Sequence, residues 1–142
     1  MSIRAMLLAL FWVAPLVGHA DGISGLNVGT PHESVQPAFS HPLPNAPGKK
    51  MVGLLVTYAP GMTSASHRHG DAFVVGYVLS GEIRSQLEDG SSRVYQAGES
   101  WSEPPGAHHV VSENASKTQP ASLLAIFVVD ENQKDLVTYD KP

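Results

Sequence analysis

Apolar residues along this chain come in short runs, each closed by a turn signal. Residues 51–58 (MVGLLVTY) are apolar and β-branched up to Pro60-Gly61, and residues 73–79 (FVVGYVL) run to Ser80-Gly81. Residues 82–87 (EIRSQL) lead into Glu88-Asp89-Gly90-Ser91, a good hairpin signal. Stretches 93–96, 100–103 and 108–112 are short strand candidates, parted by Ala97-Gly98 and Pro104-Pro105-Gly106. Residues 123–129 (LLAIFVV) form the last strong strand. No window keeps an apolar period of about 3.6 residues over three turns, so helices are not expected. Many short strands with turns between them predict an all-β fold, one barrel or sandwich over residues 51–130. Residues 131–142 read as a polar tail, with room for one edge strand near 136–139.

The N-terminal fifty residues follow other patterns. Arg4 is the sole charge in residues 1–20; an apolar stretch from Ala5 to Val17 follows, then Gly18-His19-Ala20, with small residues at positions −3 and −1 of a cut after Ala20. This is the three-part layout of a secretory signal peptide. The apolar stretch falls short of the roughly 20 residues that span a bilayer. Export to the periplasm or the exterior is therefore expected, with no stable membrane insertion after cleavage. Residues 21–50 carry Pro31, Pro37, Pro42, Pro44 and Pro47. Proline fixes φ and removes a donor, so this stretch is expected to be an extended arm with one short edge strand at most.

Composition narrows the function. With 42% hydrophobic and 15% charged residues, the chain is not a disordered polyelectrolyte. A formal charge of −4 argues against nucleic acid as a partner. The absence of cysteine removes disulfide frameworks, thiolate zinc sites, iron–sulfur clusters and Cys nucleophiles together. Seven histidines remain as candidate soft ligands.

They sort by spacing. His67 and His69 are one residue apart, so in a strand both imidazoles face one side. His108 and His109 follow Pro104-Pro105-Gly106, and strand parity lets one of the two face inward. Three imidazoles from two strands make a divalent-metal site, for iron, manganese, nickel, zinc or copper. His32 and His41 lie in the proline-rich arm, away from this set.

The frame around these histidines resembles the cupin family, whose two signatures read G-x5-H-x-H-x3,4-E-x6-G and G-x5-P-x-G-x2-H-x3-N. Gly61, His67, His69 and Gly81 fit the first; Gly98, Pro104, Gly106 and His109 fit the second. The resemblance covers about residues 51–129. It implies a small single-domain jelly-roll barrel with His67, His69 and His109 as metal ligands. It also permits dioxygenase-like, isomerase and lyase chemistry on a small organic substrate, as well as non-catalytic binding of a small molecule or metal.

Two positions depart from the signatures. The family's carboxylate falls at Val74, and its Asn falls at Glu113, with Asn114 one residue late. Three neutral imidazoles would leave a metal(II) its full charge, making a stronger Lewis acid that is held less tightly and released in acid. Glu103, next to the second signature, is a candidate replacement carboxylate or general base. Asp71 is a candidate acceptor that orients His67 or His69. Arg84 and Gln86 share a parity and would hold an anionic or carbonyl substrate if that face points inward. If Val74 faces the barrel, then Phe73, Val75, Tyr77 and Leu79 face out. So apolar an outer face predicts a homodimer.

Overall fold

The computed structural model describes residues 33–141. The signal peptide read at residues 1–20, the first part of the arm and His32 all lie outside the described residues. Among the described residues there are ten strands and no helix. They are β1 (Glu33–Pro42), β2 (Lys49–Tyr58), β3 (His67–Arg68), β4 (Phe73–Ser80), β5 (Glu82–Leu87), β6 (Arg93–Gln96), β7 (Ser100–Glu103), β8 (His108–Asn114), β9 (Ala121–Asp130) and β10 (Thr138–Tyr139). They pair antiparallel into two five-stranded sheets, ordered β1-β2-β9-β4-β7 and β10-β3-β8-β5-β6.

Period-two alternation builds the space between the sheets. Strand β2 turns Val52, Leu54, Val56 and Tyr58 inward, and β9 turns Ala121, Leu123, Phe127 and Val129 inward to meet them. Strand β4 adds Val74 and Val78, and β5 adds Ile83 from the opposite sheet. Each large apolar side chain buried this way contributes roughly 1.5–3 kcal/mol. The turn from β4 to β5 needs Gly81: its φ is +71°, and a Cβ there would lie 2.7 Å from the Pro120 carbonyl oxygen.

Two features depart from the simple pattern. The later part of the proline-rich stretch is a full ten-residue strand, β1, paired along one side to β2 at the sheet edge. An edge strand tolerates proline because one row of its donors has no ladder to fill, and the register shifts between Pro37 and Phe39. The second feature is a bulge in β8. Leu87 pairs with His109 and Gln86 with Val111, so β8 carries one extra residue there. His109 and Ser112 are an odd number of residues apart, yet the bulge turns both inward.

Candidate metal centre

Between the two sheets lies a cavity of about 60 Å³. His67, His69 and His109 line it, and one ring nitrogen from each comes within 4.8 Å of the others. The register accounts for this, since His67 of β3 stands opposite His109 of β8. The ring centroids of His67 lie 4.8 Å from those of His69 and 5.1 Å from those of His109.

Backbone carbonyls fix two of the imidazoles. Nδ1–H of His67 donates to the Ala65 carbonyl at 2.7 Å, and Nδ1–H of His69 donates to the Leu136 carbonyl at 2.8 Å. Both Nε2 atoms then keep their lone pairs for the cavity. Burial keeps the rings neutral. It pushes His67 down to about 4, with the neighbouring His69 adding to the effect, and lowers His69 as well. Protons therefore compete weakly with a cation for these atoms at neutral pH.

Glu103, the candidate carboxylate, lines the same cavity from β7. Val74 of β4 and Glu103 of β7 are cross-strand partners. The position facing Val74 on the next strand thus carries a carboxylate. Glu103 is 2% exposed. Its Oε1 accepts the Trp101 Nε1–H at 3.0 Å and lies 3.1 Å from Nδ1 of His109. Its Oε2 is buried without a hydrogen-bond partner, 3.5 Å from Nε2 of His69. Burial alone would raise this carboxyl, but the hydrogen bond and charge of His109, with His69 and Trp101 behind it, hold it down to about 2. Trp101 can lie flat inside the barrel because Gly76 faces it; a Cβ at residue 76 would sit 2.4 Å from the indole.

The donor set fits a divalent cation. An unpartnered carboxylate oxygen faces the lone pair of a neutral imidazole, an arrangement of two acceptors that a cation between them satisfies. The three imidazoles converge as expected, and Glu103, the candidate carboxylate, lies beside two of them rather than at position 74. Of the pair, His109 is the one that faces the cavity: it is 3% exposed, while the His108 Nε2 turns outward to Ser66 at 2.8 Å and Asp140 at 2.7 Å.

Three other expectations need correction. Arg84 and Gln86 do not line the cavity. The inward face of β5 belongs to Ile83 and Ser85, so Arg84 pairs with Glu113 at 3.0 Å on the outside and Gln86 donates to the Gly90 carbonyl. Asp71 is exposed in the turn closed by Ala72 N–H to the His69 carbonyl, and backbone carbonyls hold the imidazoles in its stead. Asn114, one residue late for the motif, is 3% exposed and ties the loops together through the Ala59 and Gln119 carbonyls.

Sequence reasoning missed Ser85, whose Oγ lies 2.9 Å from Nε2 of His109, and a polar group that lines the cavity: Glu33, Tyr58, Ser64, Ser112 and Tyr139. Tyr58 and Tyr139 end strands on inward-facing positions, a signal that was available. Glu33 lay in the stretch read as an arm, and Ser112 faces inward because of the bulge.

Residues 54–127 match the family model described as Cupin domain. No curated protein matches the chain. Among solved structures, it is similar to an uncharacterized conserved protein with a double-stranded beta-helix domain from Klebsiella pneumoniae subsp. pneumoniae. That likeness has 16% identity and a TM-score of 0.61, and covers 82% of this chain and 91% of that one. A recombinant oxalate oxidase in complex with glycolate is 25% identical, with a TM-score of 0.58 over 96% of this chain and 73% of that one. The DMSP lyase DddQ from Ruegeria pomeroyi is 20% identical, with a TM-score of 0.51 over 58% of this chain and 40% of that one.

Proposed function

This chain belongs to the Cupin domain family, and on that footing we propose that it holds a divalent metal ion through His67, His69 and His109 and acts on a small organic molecule as a metal-dependent enzyme. The observation that carries the reading is the convergence of three ring nitrogens within 4.8 Å, two of them freed toward the cavity by backbone carbonyls behind them. An ion bound there would supply Lewis acidity to a substrate oxygen, the chemistry shared by dioxygenase-like, isomerase and lyase reactions. The likeness to an oxalate oxidase supports the enzymatic side.

The chain's own residues have separable roles. His67 and His69 present Nε2, fixed in tautomer by their Nδ1–H bonds. His109 presents Nδ1 once its proton has moved to Nε2, where Ser85 Oγ accepts it. Glu103 would supply beside a bound cation the negative charge that position 74 lacks. Its Oε2 can also take a proton from a substrate bound alongside. Phe127 edges onto His69 at 5.1 Å and, with Val74, keeps water from that side.

The test is metal analysis of purified wild type beside His67→Ala and His109→Ala. Bound iron, manganese, nickel, zinc or copper in wild type, reduced in both variants, supports the centre; equal content in all three refutes it. Metal bound without turnover on a small-molecule panel, oxygen consumption included, makes the protein a binding module. Two further parts of the proposal have their own checks. Export with cleavage after Ala20 requires a mature chain beginning at Asp21, read by mass spectrometry of the exported fraction. Homodimer formation through the outer face of β4 rests on Phe73, Tyr77 and Leu79, which are 41%, 41% and 46% exposed.

A further inference from the structure

The cavity has a second polar pole, built by residues that the metal centre does not use. Glu33 enters it from the edge strand β1, and its carboxylate accepts the Ser64 hydroxyl and, at 3.1 Å, the Tyr139 hydroxyl. With the Ser64 proton committed to Glu33, the Tyr58 hydroxyl donates to Ser64 Oγ at 2.6 Å, and Ser112 donates to Tyr58 at 2.9 Å. The hydroxyl protons thus all run toward one carboxylate. Tyr58, Ser64 and Ser112 are buried, at 2%, 8% and 5% exposure. Among the described residues, no Lys, Arg or His lies within ion-pair distance of Glu33. Each of its oxygens has taken one hydroxyl and keeps a further acceptor site. Tyr139 joins this pole to the metal centre, since it stands opposite His67 in the ladder with ring centroids 5.8 Å apart. Between the poles the walls are aliphatic: Leu54, Val56, Leu123 and Ala125.

We propose that Glu33, held by Ser64 and Tyr139, is a recognition subsite for the donor end of a short bifunctional molecule: a hydroxyl or an ammonium group on a chain of two or three carbons whose other end offers oxygen ligands to the metal. A carboxylate with spare acceptor sites and no cation takes a hydrogen-bond donor and rejects a methyl group of the same size, which would leave it desolvated and unpaired. The aliphatic walls fit the carbon chain. The cavity is small, about 60 Å³ against roughly 10–15 Å³ for one water, which favours a short chain. The inference rests on the metal reading, which supplies the anchor for the oxygen end.

The experiment separates the two. Wild type and Glu33→Gln are loaded with zinc(II), assayed for bound metal, and titrated by calorimetry with 3-hydroxypropanoate, β-alanine and butanoate, three acids of equal length that differ in the last group. Wild type is expected to bind the hydroxyl and ammonium acids at least about tenfold more tightly than butanoate. Glu33→Gln is expected to keep its zinc and lose the preference, most of all for β-alanine. Wild type that binds all three alike, or binds none, overturns the subsite, as does Glu33→Gln that keeps the preference. The wild-type series needs no variant to fold. Wild type that holds no zinc, iron or manganese overturns the metal reading, and the subsite falls with it.

Discussion

Glu103→Val, alone and combined with Val74→Glu, tests whether the carboxylate has changed strands. The two residues are cross-strand partners on β4 and β7, and such partners carry Cβ atoms about 4.5–5.5 Å apart. A Glu on either can therefore reach the same imidazoles. Among the described residues, removing Glu103 takes away the one carboxylate beside His69 and His109. Losing an outer partner of a metal ligand typically costs about 10–100-fold in affinity, and a carboxylate in direct contact should cost at least the upper figure, about 2.7 kcal/mol. Glu103→Val also strands the Trp101 Nε1–H, which now donates to Oε1 at 3.0 Å, at about 1–3 kcal/mol of stability. Relief of the buried charge offsets part of that. The single variant should thus bind metal about 100-fold more weakly while showing a modest fall in Tm. The double variant should recover most of the metal affinity but not the Trp101 hydrogen bond. Competition against a chromophoric chelator gives the affinities, and circular dichroism shows that each variant is folded. Wild-type affinity in folded Glu103→Val, or no recovery in a folded double variant, would refute the reasoning.

Three further outcomes follow from the same geometry. Gly76→Ala places a Cβ 2.4 Å from the Trp101 indole; overpacking of this kind costs about 1–3 kcal/mol, read as a lower Tm, and metal affinity should fall because Trp101 no longer positions Glu103. In the metal-free chain, stability should drop as pH falls from about 6.5 to 4. The unfolded chain protonates His67 near 6.5 and the folded one near 4, so protons favour the unfolded state across that window, by about 3 kcal/mol at most. Glu103, depressed to about 2, adds stability above its ordinary range and loses it as pH falls toward 2, so denaturant midpoints measured against pH should steepen in His67-containing protein relative to His67→Gln. Tyr77→Lys, in the middle of the exposed β4 face, should turn a dimer into a monomer by light scattering, while a wild type that is already monomeric at micromolar concentration would sink the dimer.

Much of this molecule could be read from sequence because β structure writes its pattern locally. Alternation and turn residues placed β4, β5, β6 and β7 close to their observed bounds, and a one-residue gap was enough to put His67 and His69 on one face. Parity also let one of His108 and His109 face inward, and the resemblance to the cupin signature pointed to His109. Parity is only relative, however. It groups Arg84 with Gln86 but does not say which side meets the opposite sheet, and the core took Ile83 and Ser85. It also fails across a bulge, so Ser112 could not be placed with His109. The arm hid Glu33 because edge pairing lets a proline-rich strand join a sheet without an apolar signature of its own. The missing carboxylate is the clearest case. Sequence alone showed that position 74 had lost it. Glu103 was a candidate to replace it, but only the pairing of β4 with β7 set it opposite Val74, since register between strands is fixed by hydrogen bonds and packing across the whole barrel rather than by the spacing of residues along one strand.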